Sequence, residues 1–151
     1  MARAVIGGGC FWCVEGAYKN MKGIESALPA YAGGHDPNPN YNSVCAEVTG
    51  HAEVVEILFD ESIISYETIL EVFFTVHDPT QLNRQGNDVG TQYRSVIYYI
   101  GDEQKLIADK VRDDFQQYFD DEIVTEIEEL SNYHEAEKYH HNYFELNPGN
   151  G

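Results

Sequence analysis

The sequence predicts an α/β domain in two layers, a mixed sheet covered by helices. Segments with the two-residue alternation of strands take turns with segments of helical period, in the order β-α-β, β-α-β, α-β-α, which is the pattern of a layered α/β structure. The 151 residues are 42% hydrophobic and 13% aromatic, enough for one core of normal size. No internal repeat or low-complexity linker divides them, so residues 1–151 are expected to form a single domain.

Each element has its own signal. Ala4 to Ile6 is a short apolar strand stopped by Gly7-Gly8-Gly9, after which Phe11, Val14, Tyr18 and Met21 recur at helical spacing, so Cys10 opens a helix. Ile24 to Ala32 is a second strand closed by Gly33-Gly34. The polar segment from His35 to Ser43, with Pro37, Pro39 and several Asn, is a loop of the kind that borders a cleft. From His51 to Phe59 the chain alternates, with His51, Glu53, Val55, Ile57 and Phe59 on one face and Ala52, Val54, Glu56 and Leu58 on the other. Both faces are largely apolar, as in a central strand. Tyr66 to His77 is a hydrophobic helix ended by Asp78-Pro79, because proline cannot continue the hydrogen-bond ladder. Gln81 to Gln92 is a second polar loop, and Tyr93 to Ile100 has the aromatic and β-branched density of a buried strand. Asp102 or Glu103 to Phe119 is an acidic amphipathic helix, Ile123 to Leu130 an edge strand, and Tyr133 to Phe144 a last helix rich in His and Tyr.

Composition narrows the function. Against 26 Asp and Glu stand 9 Lys and Arg, a formal charge of −17, and such a field repels nucleic acid and anionic lipid surfaces. No window is long and apolar enough to span a membrane, and Met1 to Ile6 runs straight into glycines without a signal peptide, which predicts a cytoplasmic protein. Three cysteines are an odd number in such a chain, which favours free or redox-active thiols over a disulfide framework.

Cys10 stands where unpaired backbone N–H groups and the helix dipole lower a thiol pKa, so it is the expected nucleophile. Cys13 lies one helical turn further on the same side, within reach of a disulfide after modest adjustment. The pair suits redox or metal chemistry. Glu53, on an otherwise apolar strand face, either pairs with a cation or holds its proton and acts as a general acid; an exposed strand end is the plainer reading. Asp88, in Gln85-Gly86-Asn87-Asp88, is a weaker candidate, since Asn and Asp in glycine-containing loops are usually turn formers. Six histidines and three cysteines lack the second ligand pair of a zinc site, so no metal is expected, and Cys45 is most simply a small buried residue.

Taken together, Gly9-Cys10-Phe11-Trp12, Thr49-Gly50-His51-Ala52-Glu53-Val54-Val55, and Asp78-Pro79 with Arg84-Gln85-Gly86-Asn87-Asp88-Val89-Gly90-Thr91-Gln92-Tyr93-Arg94-Ser95 resemble the signatures of the peptide-methionine (S)-S-oxide reductases, the MsrA family. The resemblance runs from Val5 to about Pro148. It implies a ferredoxin-like two-layer fold and reduction of methionine-S-sulfoxide, free or in proteins. By the same resemblance Cys10 attacks the sulfoxide sulfur, Glu53 protonates its oxygen, Tyr41 and Tyr93 hydrogen-bond that oxygen, Asp88 supports the site, and Phe11 and Trp12 hold the S-methyl group. It also implies a Cys10 sulfenic acid, a disulfide, and recycling by thioredoxin or an external dithiol such as dithiothreitol rather than by a bound cofactor.

The chain departs from the common pattern in two ways: Cys13 stands where many members have glycine, and residues 147–151 carry no recycling cysteine. Cys13 is therefore the expected resolving thiol and Cys45 its rival. His140 aligns with a position near the pocket rim, where a packed or solvated histidine is the simpler reading. A monomer is the simplest assembly. Two other functions fit the C-x-x-C alone, a thioredoxin-like dithiol oxidoreductase using Cys10 and Cys13 and a non-catalytic zinc-binding module.

Overall fold

A computed structural model describes residues 2–35, 40–41 and 50–136. Its frame is a six-stranded sheet in the order β7-β6-β1-β3-β2-β8. The strands are β1 (Ala2–Gly7), β2 (Ile24–Ala32), β3 (Ala52–Phe59), β6 (Val96–Tyr99), β7 (Glu126–Glu129) and β8 (His134–Glu135). The sheet is mixed: β6 and β7 run parallel, and every other pair is antiparallel. Helices α1 (Phe11–Tyr18), α2 (Tyr66–Val76) and α3 (Asp102–Phe115) connect β1 to β2, β3 to β6 and β6 to β7. The inner four strands lie in the order β6-β1-β3-β2, with α1 and α2 as their crossovers, which is the ferredoxin-like arrangement of a split β-α-β unit.

Alternation divides the strands between two faces. Ala4, Ile6, Tyr31, Val55, Ile57, Phe59 and Ile97 face the helices and meet Phe11, Val14, Tyr18, Ile69, Leu70, Phe73, Ala108 and Val111 in one cluster. Val5, Ala30, Ala32, Ala52, Val54, Val96 and Tyr98 form a second cluster on the opposite face. The expectation that β3 is central holds, since both of its edges are paired over most of its length. Ser65 caps α2 by accepting from the Thr68 N–H at 3.1 Å, with Glu67 in the first turn.

Four expectations are corrected. The segment from Tyr133 does not begin a helix: His134 and Glu135 pair with Tyr31 and Ala30, and the Ala136 N–H donates to the Pro29 carbonyl at 3.0 Å. The open edge of β2 offers backbone partners that override the helical pattern of the side chains; residues 137–144 lie outside those described. The polar loop at 81–92 contains a small hairpin, β4 (Arg84–Gln85) and β5 (Asp88–Val89), turned at Gly86-Asn87. The strand expected from Tyr93 begins at Val96, because Thr91–Tyr93 closes into a 3₁₀ turn whose Tyr93 N–H donates to the Gly90 carbonyl at 3.0 Å. The acidic helix likewise stops at Phe115 and tightens into a 3₁₀ turn over Gln116–Tyr118.

Helix α2 ends at His77, which ties three elements together. Its Nδ1–H donates to the Phe73 carbonyl at 2.6 Å, leaving Nε2 to accept from the Ser95 hydroxyl at 2.8 Å; Thr125 Oγ1 lies 2.7 Å from Ser95 Oγ and donates to it in turn. Burial holds the imidazole neutral, with its pKa pushed down to about 4.

Two outcomes follow for stability. Phe73 is fully buried, so Phe73→Ala should cost about 3–5 kcal/mol in urea unfolding, whereas Leu106→Ala, at a side chain 71% exposed, should stay within about 0.5 kcal/mol. For His77, the unfolded chain takes up a proton near the ordinary 6.5 and the folded chain only near 4, so its contribution is whole above pH 6.5 and is lost as pH falls toward 4. The stability difference between the native chain and His77→Gln, read by urea unfolding at each pH, should shrink by about 3 kcal/mol across that window.

Candidate active site

The end of β1 presents the thiols. Gly9 has φ +87°, a conformation side chains rarely adopt, and it turns the chain sharply out of the strand. A Cβ on Gly8 would lie 2.7 Å from the His77 ring, so that glycine lets the turn settle flat against the imidazole. The Gly9 N–H donates to the Tyr93 carbonyl at 3.1 Å, fixing the turn to the segment that carries Tyr93. Cys10 is then the N-cap residue of α1 and its carbonyl accepts from the Cys13 N–H at 3.1 Å. Cys10 is half-buried and Cys13 exposed, and both are free thiols.

Glu53 lies beneath this turn. It opens the helix-facing row of β3 and is completely buried, which removes the reading of an exposed strand end. Its Oε1 accepts from the Phe11 N–H at 3.2 Å, so the carboxyl takes one of the free donors of the α1 N-terminus. Its Oε2 is buried without a hydrogen-bond partner among the described residues. Burial dominates over the Phe11 bond and pushes the pKa up to about 8, with Asp88 adding in the same direction. Glu53 is thus a neutral acid near pH 7, buried directly beneath the turn that carries Cys10.

The thiols do not divide as the helix position predicts. The Trp12 N–H does lower the Cys10 pKa, but a hydrogen bond to Cys13, burial and the negative charge of Glu53 outweigh it, and Cys10 holds its proton. Cys13 receives that bond and is lowered to about 7. The pair titrates as a unit, losing its first proton near neutrality and keeping the second between the two sulfurs.

Cys10, Cys13 and Asp88 line one cleft of about 270 Å3, whose walls include Gly8, Gly9, His77 and Gln85. Phe11 is fully buried among core side chains, with its ring 5.8 Å from those of both Trp12 and Tyr31. Trp12 and Tyr41 stack at 5.8 Å and 24°, at the first turn of α1. Tyr93 is half-buried beside Gly9. Cys45 and His140 lie outside the described residues. Among the described residues no group of three or more His, Cys, Asp and Glu could hold a metal ion, and no helix is long and apolar enough to cross a membrane.

Three supporting residues escape the sequence reading. The Gln85 amide accepts from the Asp78 N–H and donates to the Asp78 carbonyl, both at 2.9 Å, clamping the hairpin that carries Asp88 to the end of α2. Arg94 donates to the carbonyls of Thr91 at 2.8 Å and Gly50 at 3.1 Å, joining the Tyr93 turn to the entry of β3 three residues before Glu53. His77 forms the cleft wall described above. Gln85 and Arg94 have as their signal only membership of the Asp78 to Ser95 signature, and His77 stands just before it, at the end of a helix.

The profile of the family described as peptide methionine sulfoxide reductase matches residues 2–151. The chain is 54% identical over 145 residues to "Peptide methionine sulfoxide reductase MsrA" of Saccharolobus solfataricus, covering 96% of this chain and 82% of that protein. It is 54% identical over 149 residues to the protein of the same name in Natronomonas pharaonis, covering 97% and 84%. Among solved structures, reduced Mxr1 from Saccharomyces cerevisiae superposes with a TM-score of 0.94 at 32% identity, covering 99% of this chain and 87% of that one. Methionine sulfoxide reductase A of Corynebacterium diphtheriae gives 0.86 at 36% identity, covering 97% and 74%. With the profile match, the sequence identities and the shared fold in agreement, the chain belongs to the peptide methionine sulfoxide reductase family.

Proposed function

We propose that residues 1–151 form a single catalytic unit, working as a monomer in the cytoplasm, that reduces the S epimer of methionine sulfoxide, free or within polypeptides, with an external dithiol in place of any bound cofactor. The observation that carries this reading is the neutral, buried Glu53, hydrogen-bonded through Phe11 to the helix turn that bears Cys10. A sulfoxide sulfur becomes electrophilic only as its oxygen gains a proton, and Glu53 holds one at neutral pH.

In this mechanism the Cys10 sulfur attacks the sulfoxide sulfur while its proton passes to the Cys13 thiolate to which it is hydrogen-bonded. Glu53 gives its proton to the oxygen, with Tyr41 and Tyr93 as further donors, and Asp88 helps to keep that proton on Glu53. Phe11 and Trp12 shield the methyl group from water. The oxygen, now protonated, then passes from the methionine sulfur to the Cys10 sulfur as the sulfur–oxygen bond and the transient bond between the two sulfurs break: methionine leaves reduced with the electron pair, and Cys10 becomes a sulfenic acid. Cys13 then attacks the Cys10 sulfur, the oxygen departs as water, and a Cys10–Cys13 disulfide remains. An external dithiol takes over the disulfide, being itself oxidised as both thiols return. Yeast Mxr1 has been solved in complex with Trx2, which suggests a thioredoxin-type protein for that role.

The deciding experiment is a single turnover. Fully reduced protein, mixed with excess S epimer without added reductant, should release one methionine and lose two thiols per chain, with the R epimer inert. Absence of methionine from either epimer would sink the reading. Tryptic mapping of the product should find Cys10 joined to Cys13; a Cys10–Cys45 linkage would transfer the resolving role to Cys45. The same assay tests the acid. Glu53 is protonated below its pKa of about 8 and ionised above it, so the rate should fall as pH rises through that value. Glu53→Gln should be slower by about a hundredfold or more and should lack this alkaline fall.

A further inference from the structure

A second and larger concavity adjoins the catalytic cleft. It encloses about 650 Å3, a volume typical of small-molecule and side-chain sites, and Phe74, Phe115, Tyr118 and Phe119 form its walls. Val76 and His77 line both this groove and the cleft of Cys10 and Cys13. Topology accounts for the adjacency. Strands β3 and β6 run antiparallel to β1, so α2 and α3 start at the far end of the sheet and finish at the end where β1 delivers Cys10. The groove is the gap between those two helix endings. Val76 is 45% exposed and forms the ridge between the two openings, and Tyr118, at 70%, stands at the outer rim.

Val76 and Tyr118 leave apolar side-chain surface open to water at this groove, where an apolar ligand group would gain by covering it. Among the described residues that line the groove, the only ionised group is Asp78, its carboxylate held by Thr80 and Gln81, while His77 is neutral. The lining therefore accepts an apolar side chain and repels a carboxylate.

We infer that this groove is a substrate subsite for a large apolar side chain close in sequence to the oxidised methionine. The inference rests on the function proposed above, since a polypeptide that places methionine sulfoxide at Cys10 must leave the cleft over its rim, and the Val76 ridge leads into the groove. It adds a sequence preference to an activity that otherwise requires only the sulfoxide.

The test compares kcat/KM, with dithiothreitol as reductant, for N-acetylmethionine-S-sulfoxide methylamide and for short peptides carrying Phe, Ser or Asp on either side of the sulfoxide. A Phe peptide should exceed its Ser counterpart by about tenfold on at least one side, and Asp there should fall below Ser. Tyr118→Glu and Phe119→Ser should each erase the Phe advantage while leaving the methylamide unchanged, which shows that fold and chemistry survive. The inference is overturned if Phe and Ser peptides are equal in the native chain, or if both variants keep the advantage. It is also overturned if the variants slow turnover only when thioredoxin replaces dithiothreitol, since the groove would then hold the reductant. Should the methylamide itself not be reduced, the catalytic reading fails separately. Calorimetric titration with the same peptides then decides the groove: tighter binding of Phe that depends on Tyr118 upholds it, and equal binding overturns it.

Discussion

A carboxyl group buried under the start of a helix sets the terms for the rest of the site. The Phe11 N–H gives Glu53 one hydrogen bond, and among the described residues no second partner reaches its other oxygen. A single neutral-strength bond does not offset the cost of burying a charged carboxylate, which amounts to several kcal/mol. The proton is therefore retained. That choice propagates, because charge on Glu53 raises the pKa of Cys10, and charge on Asp88 raises those of Glu53 and Cys13. The cluster behaves as a small store of protons in which ionisation of one member discourages the next.

Keeping that store in register requires supports that add no charge to it. Gln85 uses a neutral amide to hold the Asp88 hairpin against the end of α2. His77 stays uncharged while linking α2 to Ser95 and Thr125. Arg94 brings a full positive charge, but that charge meets the carbonyls of Gly50 and Thr91 and the carboxylate of Glu126 rather than the acid cluster. A cation placed against Glu53 would instead stabilise its carboxylate and abolish the acid.

What could be read from the sequence was whatever depends on local pattern. The alternation of residues 51–59 placed Glu53 on the same face as Val55, Ile57 and Phe59, and the glycine run before Cys10 marked the strand-to-helix turn; both are properties of neighbouring residues. The segment from Tyr133 failed for the opposite reason. Its side chains carry a helical spacing, but its backbone pairs with Ala30 and Tyr31, about a hundred residues earlier, and no local signal records an unfilled sheet edge. The Thr91–Tyr93 turn was likewise hidden, because the aromatic and β-branched run beyond it looks continuous. His77, Gln85 and Arg94 act through contacts with residues that only the fold brings near. The Cys10 pKa was misjudged because the helix start was weighed without Cys13 and Glu53, whose opposing effects exist only once the turn is packed.

The division between the two sulfurs then follows from position. A half-buried thiol next to a neutral acid is shielded from large oxidants and alkylating agents, yet remains open to a slim sulfoxide side chain that Glu53 can activate. An exposed thiol with a pKa of about 7 is substantially ionised at neutral pH. In the proposed cycle it can accept the Cys10 proton in the first step, attack the sulfenic acid in the second, and offer the accessible sulfur of the disulfide to a reductant in the third. Attack there expels Cys10, whose thiolate is a poor leaving group in this pocket. Glu53, reprotonated by then, stands close enough to influence its charge and can return a proton as it leaves. In the proposed cycle the group that activates the sulfoxide thereby also restores the nucleophile.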